Sequence, residues 1–513
     1  MLAHSPVHRD AVLIAALLLA CGGSISAQPC SQVPTFADGL TPTREIHVAT
    51  TGSNSSGNGL PSSPYATIAF AATQATPGTA IRVHAGTYAG GGFIDNLAGT
   101  AAAPIWIGGA IGEPRPVIQG GTEALHLSKV RYLILHDLEV AGASGNGINC
   151  DDGGDYANAD ATRYLLFQHL NIHDIGGTGN QDGLKLSGVN DYWVLDSEFA
   201  RCGGAMSGSG IDHVGCHRGL IARSYFHELS ANAVQCKGGS DDIEIRWCRM
   251  IEAGERAVNM GGSTGFEFFR PPISTTEPNF EARNIRVVSN IIQGATASVA
   301  YVGCVDCLVA NNTIITPHNW ILRILQETVT SAPYTFLPSS GGRFVNNLVY
   351  FDRSDLSTYA NVGANTLPQT FVFQNNLWYA YDNPGQSAPS LPVAQTGAVI
   401  GQDPRLFDPS STNYAIGPAS PASAGGLAPS ETLGDITGTC YRNPPAIGAY
   451  ESCYANCDGS TLQPTLNILD FVCFTTRFGA GHSYANCDGS TAAPTLSVND
   501  FVCFLNRFSA GCG

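Results

Sequence analysis

Charge is what this chain has least of. Only 13% of its 513 residues are Asp, Glu, Lys or Arg, and 25 basic residues face 41 acidic ones, for a formal net charge of −16. Such a balance argues against general binding to nucleic acid or anionic lipid, although it leaves room for a local basic groove. Long apolar runs are missing too. Apart from Ala11 to Ala20, no segment approaches the roughly 18–20 uninterrupted apolar residues that cross a bilayer, so no membrane span is expected. Gly (59) and Pro (29) abound instead, with many Val, Ile, Leu, Asn and Thr. That mixture suits short strands joined by tight turns, an all-β chain long enough for one large core and an appendage.

Residues 1–27 read as a signal peptide. Arg9 precedes the apolar run, and small residues follow through Ser26-Ala27. Leu18-Leu19-Ala20-Cys21-Gly22 offers a competing lipoprotein signal. Sixteen cysteines fit an oxidising compartment, so secretion or display at the cell surface is expected.

Four phrases between Gln181 and Ser263 line up: QDGLKLSG, SGIDHVGC, NAVQCKGG and RAVNMGGS, starting 23 to 28 residues apart. Repetition at this period marks a solenoid in which equivalent positions stack about 4.8 Å apart. The outward column then reads Lys185, Asp212, Gln235, Asn259. The column two residues on is Ser187, Val214, Lys237, Gly261, and the turn column is Asp182, Ser209, Asn232, Arg256. His213, Cys150 and Cys236 fall on inward positions. Strand-like runs recur from YLILHDLEV (132–140) to TFVFQNNLW (370–378), and Asn290, Asn312, Asn347 and Asn376 occupy one position among them. Long insertions interrupt the coils at 263–282 and 328–341.

A strand at Glu45–Val48, a short helix within Ala66–Ala75 and the strand AIRVHAGTY (80–88) form an opening unit. It resembles the N-terminal cap of right-handed parallel β-helix proteins of the pectate-lyase-like superfamily, where the helix covers an otherwise open end. The stacked asparagines are similar to the asparagine ladder of such folds. Residues 402–450 lose the rhythm and resemble a terminal coil. The expectation is a β-helix over 28–451 and a separate unit over 452–513.

That last unit is a duplication: YANCDGSTLQPTLNILDFVCFTTRFGAG (454–481) returns as YANCDGSTAAPTLSVNDFVCFLNRFSAG (484–511). Asn456, Asp458, Ser460 and Asp470 recur as Asn486, Asp488, Ser490 and Asp500, and Asn467 has Ser497 as its counterpart. Hard oxygens at alternate positions around a sharp Gly turn suit Ca²⁺. The module resembles a dockerin, a pair of EF-hand-like loop–helix units, with a loop about three residues longer than the 12-residue pattern and Asp in place of the final Glu. The resemblance implies an α-helical pair, Ca²⁺ on those side chains and a cell-surface or cohesin-like partner. Two disulfides within the repeats, Cys457–Cys473 and Cys487–Cys503, and a clasp between Cys453 and Cys512 are expected.

The column residues carry the candidate chemistry. QDGLK followed by SGSGID resembles the calcium site of family-9 pectate lyases, with Asp182 and Asp212 as acids; Gln235 stands where that family places its base, and Lys237 lies two residues on. CKGGSDDIEI resembles the Lys coil of the family-6 lyases, again through Lys237, but no Arg-His-Gly coil follows. Both resemblances imply β-elimination on an acidic polysaccharide, which needs a base, a cation for the uronate and an acid for the leaving oxygen. Lys237 as base and Arg256 as carboxylate clamp, crowded by Lys185, fit those roles. Asp182 and Asp212, joined by Asp151 and Asp152, could instead hold Ca²⁺ or act as paired carboxylates of a glycoside hydrolase. Arg270, Arg323, Gln235 and Asn259 are candidate substrate contacts. The rival reading is a non-catalytic glycan-binding or adhesion protein.

Overall fold

The computed structural model describes residues 29–512 except Thr178, Ala205, Met206, Gln463, Gly489, Thr491 and Ala492. The expected signal peptide lies outside the described residues. Among them, no helix is long and apolar enough to cross a membrane.

The alternation of apolar and polar residues resolves into coils. One coil contributes Thr162–Gln168 to the first sheet, Asn171–Ile175 to the second and Leu184–Ser187 to the third, and Val189–Leu195 opens the next coil. Leu165, Phe167, Ile172, Leu184 and Leu186 point inward and are buried, while Lys185 between the last two points out. Repetition builds three long sheets of 14, 12 and 10 strands whose neighbours run parallel. The protein is an all-β parallel β-helix followed by a small helical C-terminal domain.

The end of the solenoid is covered as expected, though by a shorter helix, Ile68–Thr73. Thr67 caps it by accepting the Phe70 N–H, and Ile68, Ala71 and Ala72 are buried in the solenoid core. The asparagines form a buried ladder. Asn290 Nδ2 donates to Asn312 Oδ1 (3.0 Å), Asn312 Nδ2 to Asn347 Oδ1 (3.0 Å), and Asn347 Nδ2 to Asn376 Oδ1 (3.1 Å). The ladder runs further than the asparagines. The Cys248 N–H donates to Asn290 Oδ1, and in earlier coils Ser224 and Ser197 hydroxyls accept the backbone N–H of Ser197 and Leu170. Asn347 also donates to Val309 O and accepts the Asn312 N–H. Asn347→Ala therefore leaves several buried polar groups unpaired, and we expect a stability loss of about 3–5 kcal/mol, read as a lower urea midpoint at unchanged slope.

Residues 402–452 correct the expectation of a terminal coil. The coil rhythm ends at Val399–Ile400, and the chain then doubles back over the outside of the solenoid. Tyr414 Oη donates to Gln293 (2.6 Å), Asn346 Nδ2 donates to Leu427 O (3.1 Å), and Trp247 Nε1 donates to Gly434 O (2.9 Å). The reason is apolar: Ile291, Ile315, Leu348 and Leu377 face outward here, and Tyr414, Ile416, Ala422, Ile447 and Tyr450 bury them. A disulfide between Cys30 and Cys440 ties this strap to the start of the described chain.

In the C-terminal domain, helices Ile468–Gly479 and Val498–Ala510 pack through Phe474 and Phe504, stacked at 4.2 Å. The two halves exchange equivalent contacts. Tyr454 and Tyr484 stack at 4.8 Å, each hydroxyl donates to the other's backbone carbonyl, and Arg507 and Arg477 lie over their rings. Cys457–Cys473, Cys487–Cys503 and Cys453–Cys512 are bridged.

Candidate functional site

The 10-stranded sheet carries the columns. Its register runs Phe93, His126, Asn149, Lys185, Asp212, Gln235, Asn259, Ala300, Arg323, Asn361 on outward positions. Ser187, Val214 and Lys237 form the second column, and Ser209, Asn232 and Arg256 align at the turn.

Four of these side chains make one cluster. Lys185 Nζ contacts the Asp212 carboxylate and lies 3.2 Å from Asp182, while Lys237 Nζ lies 3.3 Å from the same Asp212 oxygen. The acids are the deeper layer: Asp182 is 1% exposed and Asp212 fully buried, against 17% and 11% for the side chains of Lys185 and Lys237. Burial raises the Asp182 pKa, and the lysines only partly offset it. Burial also pushes Asp212 upward, but Lys185 and Lys237 outweigh that and hold it below the usual carboxylate value. Burial disfavours the Lys185 ammonium, yet Asp212 and Asp182 raise its pKa above that of a free lysine, so it is a fixed cation. Lys237 also donates to Gln235 Oε1 (3.4 Å), which turns Gln235 toward the cluster.

Lys185 and Lys237 line the floor of a cleft of about 500 Å³. Its other walls include Asn149, Asp151, Ser187, Tyr156 and, from the 263–282 insertion, Thr264, Phe268 and Arg270. The insertion is fastened by Glu281, a buried acid that accepts from Thr264 N–H and hydroxyl, Gly238 N–H and the Thr328 hydroxyl.

Several expectations need correction. Arg256 has partners of its own outside the lysine cluster. It starts its strand, aligned with Asn232, and its guanidinium pairs with Glu327 at 2.7 Å and donates to Asn259. Arg270 is buried rather than free: it grips Asp152 through two bonds (2.8 and 3.2 Å) and lies over the Tyr156 ring at 4.1 Å. Asp152 is thereby committed to holding the loop. Asp182 and Asp212 face the two ammoniums, not open space, so they do not form a bare carboxylate pair. Arg323 stands in the outward column as expected, over Trp320 at 4.3 Å and donating to Asn361.

His126 is a further member of the column, outside the four aligned phrases. It sits two coils before Lys185, with Nδ1 2.9 Å from Glu123 and Nε2 2.7 Å from Asp151. The phrase Leu125-His126-Leu127-Ser128 matches Leu184-Lys185-Leu186-Ser187 at all but the outward residue, and that was the available signal.

His213 is an inward core residue. Its Nδ1–H donates to Gln235 O (2.8 Å), and burial lowers its pKa to about 4. A depressed base stabilises the fold fully above its ordinary value of 6.5, and that contribution is lost as pH falls toward and through about 4. It amounts to about 3 kcal/mol. His213→Met, the residue type that Met260 supplies in the same column, should remove this part of the acid destabilisation, measured by urea unfolding across that range.

In the C-terminal domain, Asn467 and Ser497 are helix caps, accepting the Leu469 and Asn499 N–H, and Asp470 and Asp500 complete capping boxes. Asp458 and Asp488 each accept from the Ser two residues on. Asn456 and Asn486 donate to the Ser460 and Ser490 carbonyls, but their Oδ1 atoms are buried with no hydrogen-bond donor among the described residues. In each half two carboxylates meet, Asp458 with Asp470 and Asp488 with Asp500. An orphaned amide oxygen beside two carboxylates fits a hard cation. Among the described residues, no group of three or more His, Cys, Asp or Glu side chains is placed to hold a metal.

No protein-family profile and no curated protein matches the chain. Solved structures do. Pectate lyase Pel9A aligns at 16% identity over 81% of this chain and 98% of its own, with a TM-score of 0.49. An alginate lyase from Paenibacillus sp. str. FPU-7 aligns at 15% identity over 62% and 97%, with a TM-score of 0.36. A GH136 lacto-N-biosidase from Eubacterium ramulus aligns at 14% identity over 65% and 67%, with a TM-score of 0.41. Identities and scores of this size assign no activity.

Proposed function

We propose that the protein is an exported enzyme that cleaves an acidic polysaccharide by β-elimination in the cleft over Lys185 and Lys237. The observation that carries this reading is the layering of the cluster, with two lysine side chains outermost above two buried carboxylates in an open cleft. A uronate carboxylate laid there meets Lys185, whose fixed charge neutralises it and stabilises the carbanion-like charge that develops. Lys237, as the neutral amine once its own proton has passed to solvent, takes the proton at C5, the bond from C4 to the glycosidic oxygen breaks, and a proton from solvent or a neighbouring donor satisfies the departing oxygen. The burial of Asp182 and Asp212 beneath the lysines favours this over hydrolysis by that acid pair. Arg323, further along the same column, supplies a further contact to the polymer, while Asn259 and Gln235 are buried beneath that face. Four disulfides agree with export. The test is a panel of pectate, alginate and chondroitin, read by the ultraviolet absorbance of an unsaturated product. Absorbance with one of them supports the reading, whereas retention of a polymer without cleavage would make the chain a glycan-binding protein.

We propose Ca²⁺ for the C-terminal domain, held by Asn456, Asp458 and Asp470 and by Asn486, Asp488 and Asp500. Bound there, Ca²⁺ would relieve the contact between paired carboxylates and fix the two loops for docking to a cell-surface protein. Titrating the full chain with Ca²⁺ should release heat and raise the thermal midpoint of the domain. The doubly substituted Asp470→Asn/Asp500→Asn chain should show neither, and a native chain silent at millimolar Ca²⁺ would refute the assignment.

A further inference from the structure

The outward column does not end at the lysines. Three strands before Lys185 it reaches Phe93, and these steps span about 14 Å at ordinary strand spacing. Phe93 is 55% exposed, an aromatic ring at the end of a column that continues through His126, Asn149 and Lys185. Its orientation is set by its neighbour. The His126 ring stands edge-on to it, with centroids 4.9 Å apart and planes at 82°, and His126 is itself held between Glu123 and Asp151. Asn149 joins them, donating to Asp151 and meeting His126 Nε2 at 3.1 Å. The ring is thus held on one side by His126 and remains more than half exposed.

Charge divides the face. Lys185 and Lys237 are cations of the cleft, Asp151 lies in its wall toward Phe93, and Glu123 lies beyond it on the other side of His126. These carboxylates would repel a uronate but accept hydrogen bonds from sugar hydroxyls. An aromatic face flanked by acceptors suits the apolar C–H side and the hydroxyl rim of an uncharged sugar ring.

We infer that Phe93 and His126 form a subsite for a neutral sugar of the same polymer whose acidic residue lies over Lys185 and Lys237. The substrate is then a heteropolysaccharide in which uronate and neutral sugars share one chain, not a uronate homopolymer. The inference rests on the proposed reading of the lysine cleft for the identity of that polymer.

The test is affinity electrophoresis of the full chain through gels containing polygalacturonate, which is all uronate, hyaluronan, in which uronate alternates with a neutral N-acetylhexosamine, or a neutral β-glucan. The native chain should be retarded most by hyaluronan. Phe93→Leu should weaken that retention about threefold to tenfold, Phe93→Trp should preserve it, and neither should change retention by polygalacturonate. Equal retention of the native and Leu chains in every gel, or an equal loss on polygalacturonate, would overturn the subsite while leaving the acidic-polysaccharide reading in place. Retention by the neutral glucan alone, dependent on Phe93, would uphold the subsite and overturn that reading. No retention in any gel would overturn both.

Discussion

Lys237→Ala should lower the rate of product formation by about 10²–10⁴-fold, the usual contribution of a positioned base, while polymer retention in an affinity gel stays within a few-fold of native. The split between turnover and binding is the informative part. Among the described residues Lys237 joins the cluster through Asp212 and Gln235, and Lys185 remains to neutralise both acids. Lys237→Arg keeps the charge but not a group able to lose its proton, so it should be almost as slow. Lys185→Ala should weaken binding and turnover together, because Lys185 is assigned to the uronate carboxylate.

Asp212→Asn is expected to cost about 3–5 kcal/mol of stability, the range for removing one partner from a buried charge pair. Asp212 is fully buried and is the one acid that both ammoniums share. With it neutral, Lys185 retains Asp182, but the Lys237 ammonium is left without a carboxylate partner among the described residues. The double change Asp212→Asn/Lys237→Met should recover part of the loss. Urea unfolding of the two single variants, the double variant and the native chain gives the coupling directly.

The columns were legible because parallel coils stack in register, so residues at one place in a repeated phrase share one face. Lys185, Asp212, Gln235 and Asn259 fell into line on that ground alone, as did the buried asparagines. Partner choice was not legible, because it depends on chain that enters from outside the repeat. Glu327 takes Arg256 from 71 residues away, and Asp152 takes Arg270 across 118. Neither pairing is legible in the sequence, because the returning segments have no period. The strap over 402–452 escaped for the same reason: its role follows from apolar residues on the outside of the second sheet, a face that repeats elsewhere present as polar. His126 was hidden differently. Its phrase carries the repeat, but it lies before the Asp-Gly and Lys-Gly signals that drew attention.

The reaction itself is tested most directly by the mass of the cleaved fragments. Whichever acidic polymer the native chain degrades, elimination leaves a new end with a double bond between C4 and C5, so that fragment is one water lighter than its hydrolytic counterpart. Mass spectrometry of the digest should show this lighter series with the native chain and lose it with Lys237→Ala. A digest made up only of hydrated fragments would contradict the assignment of Lys237 as the base of a lyase.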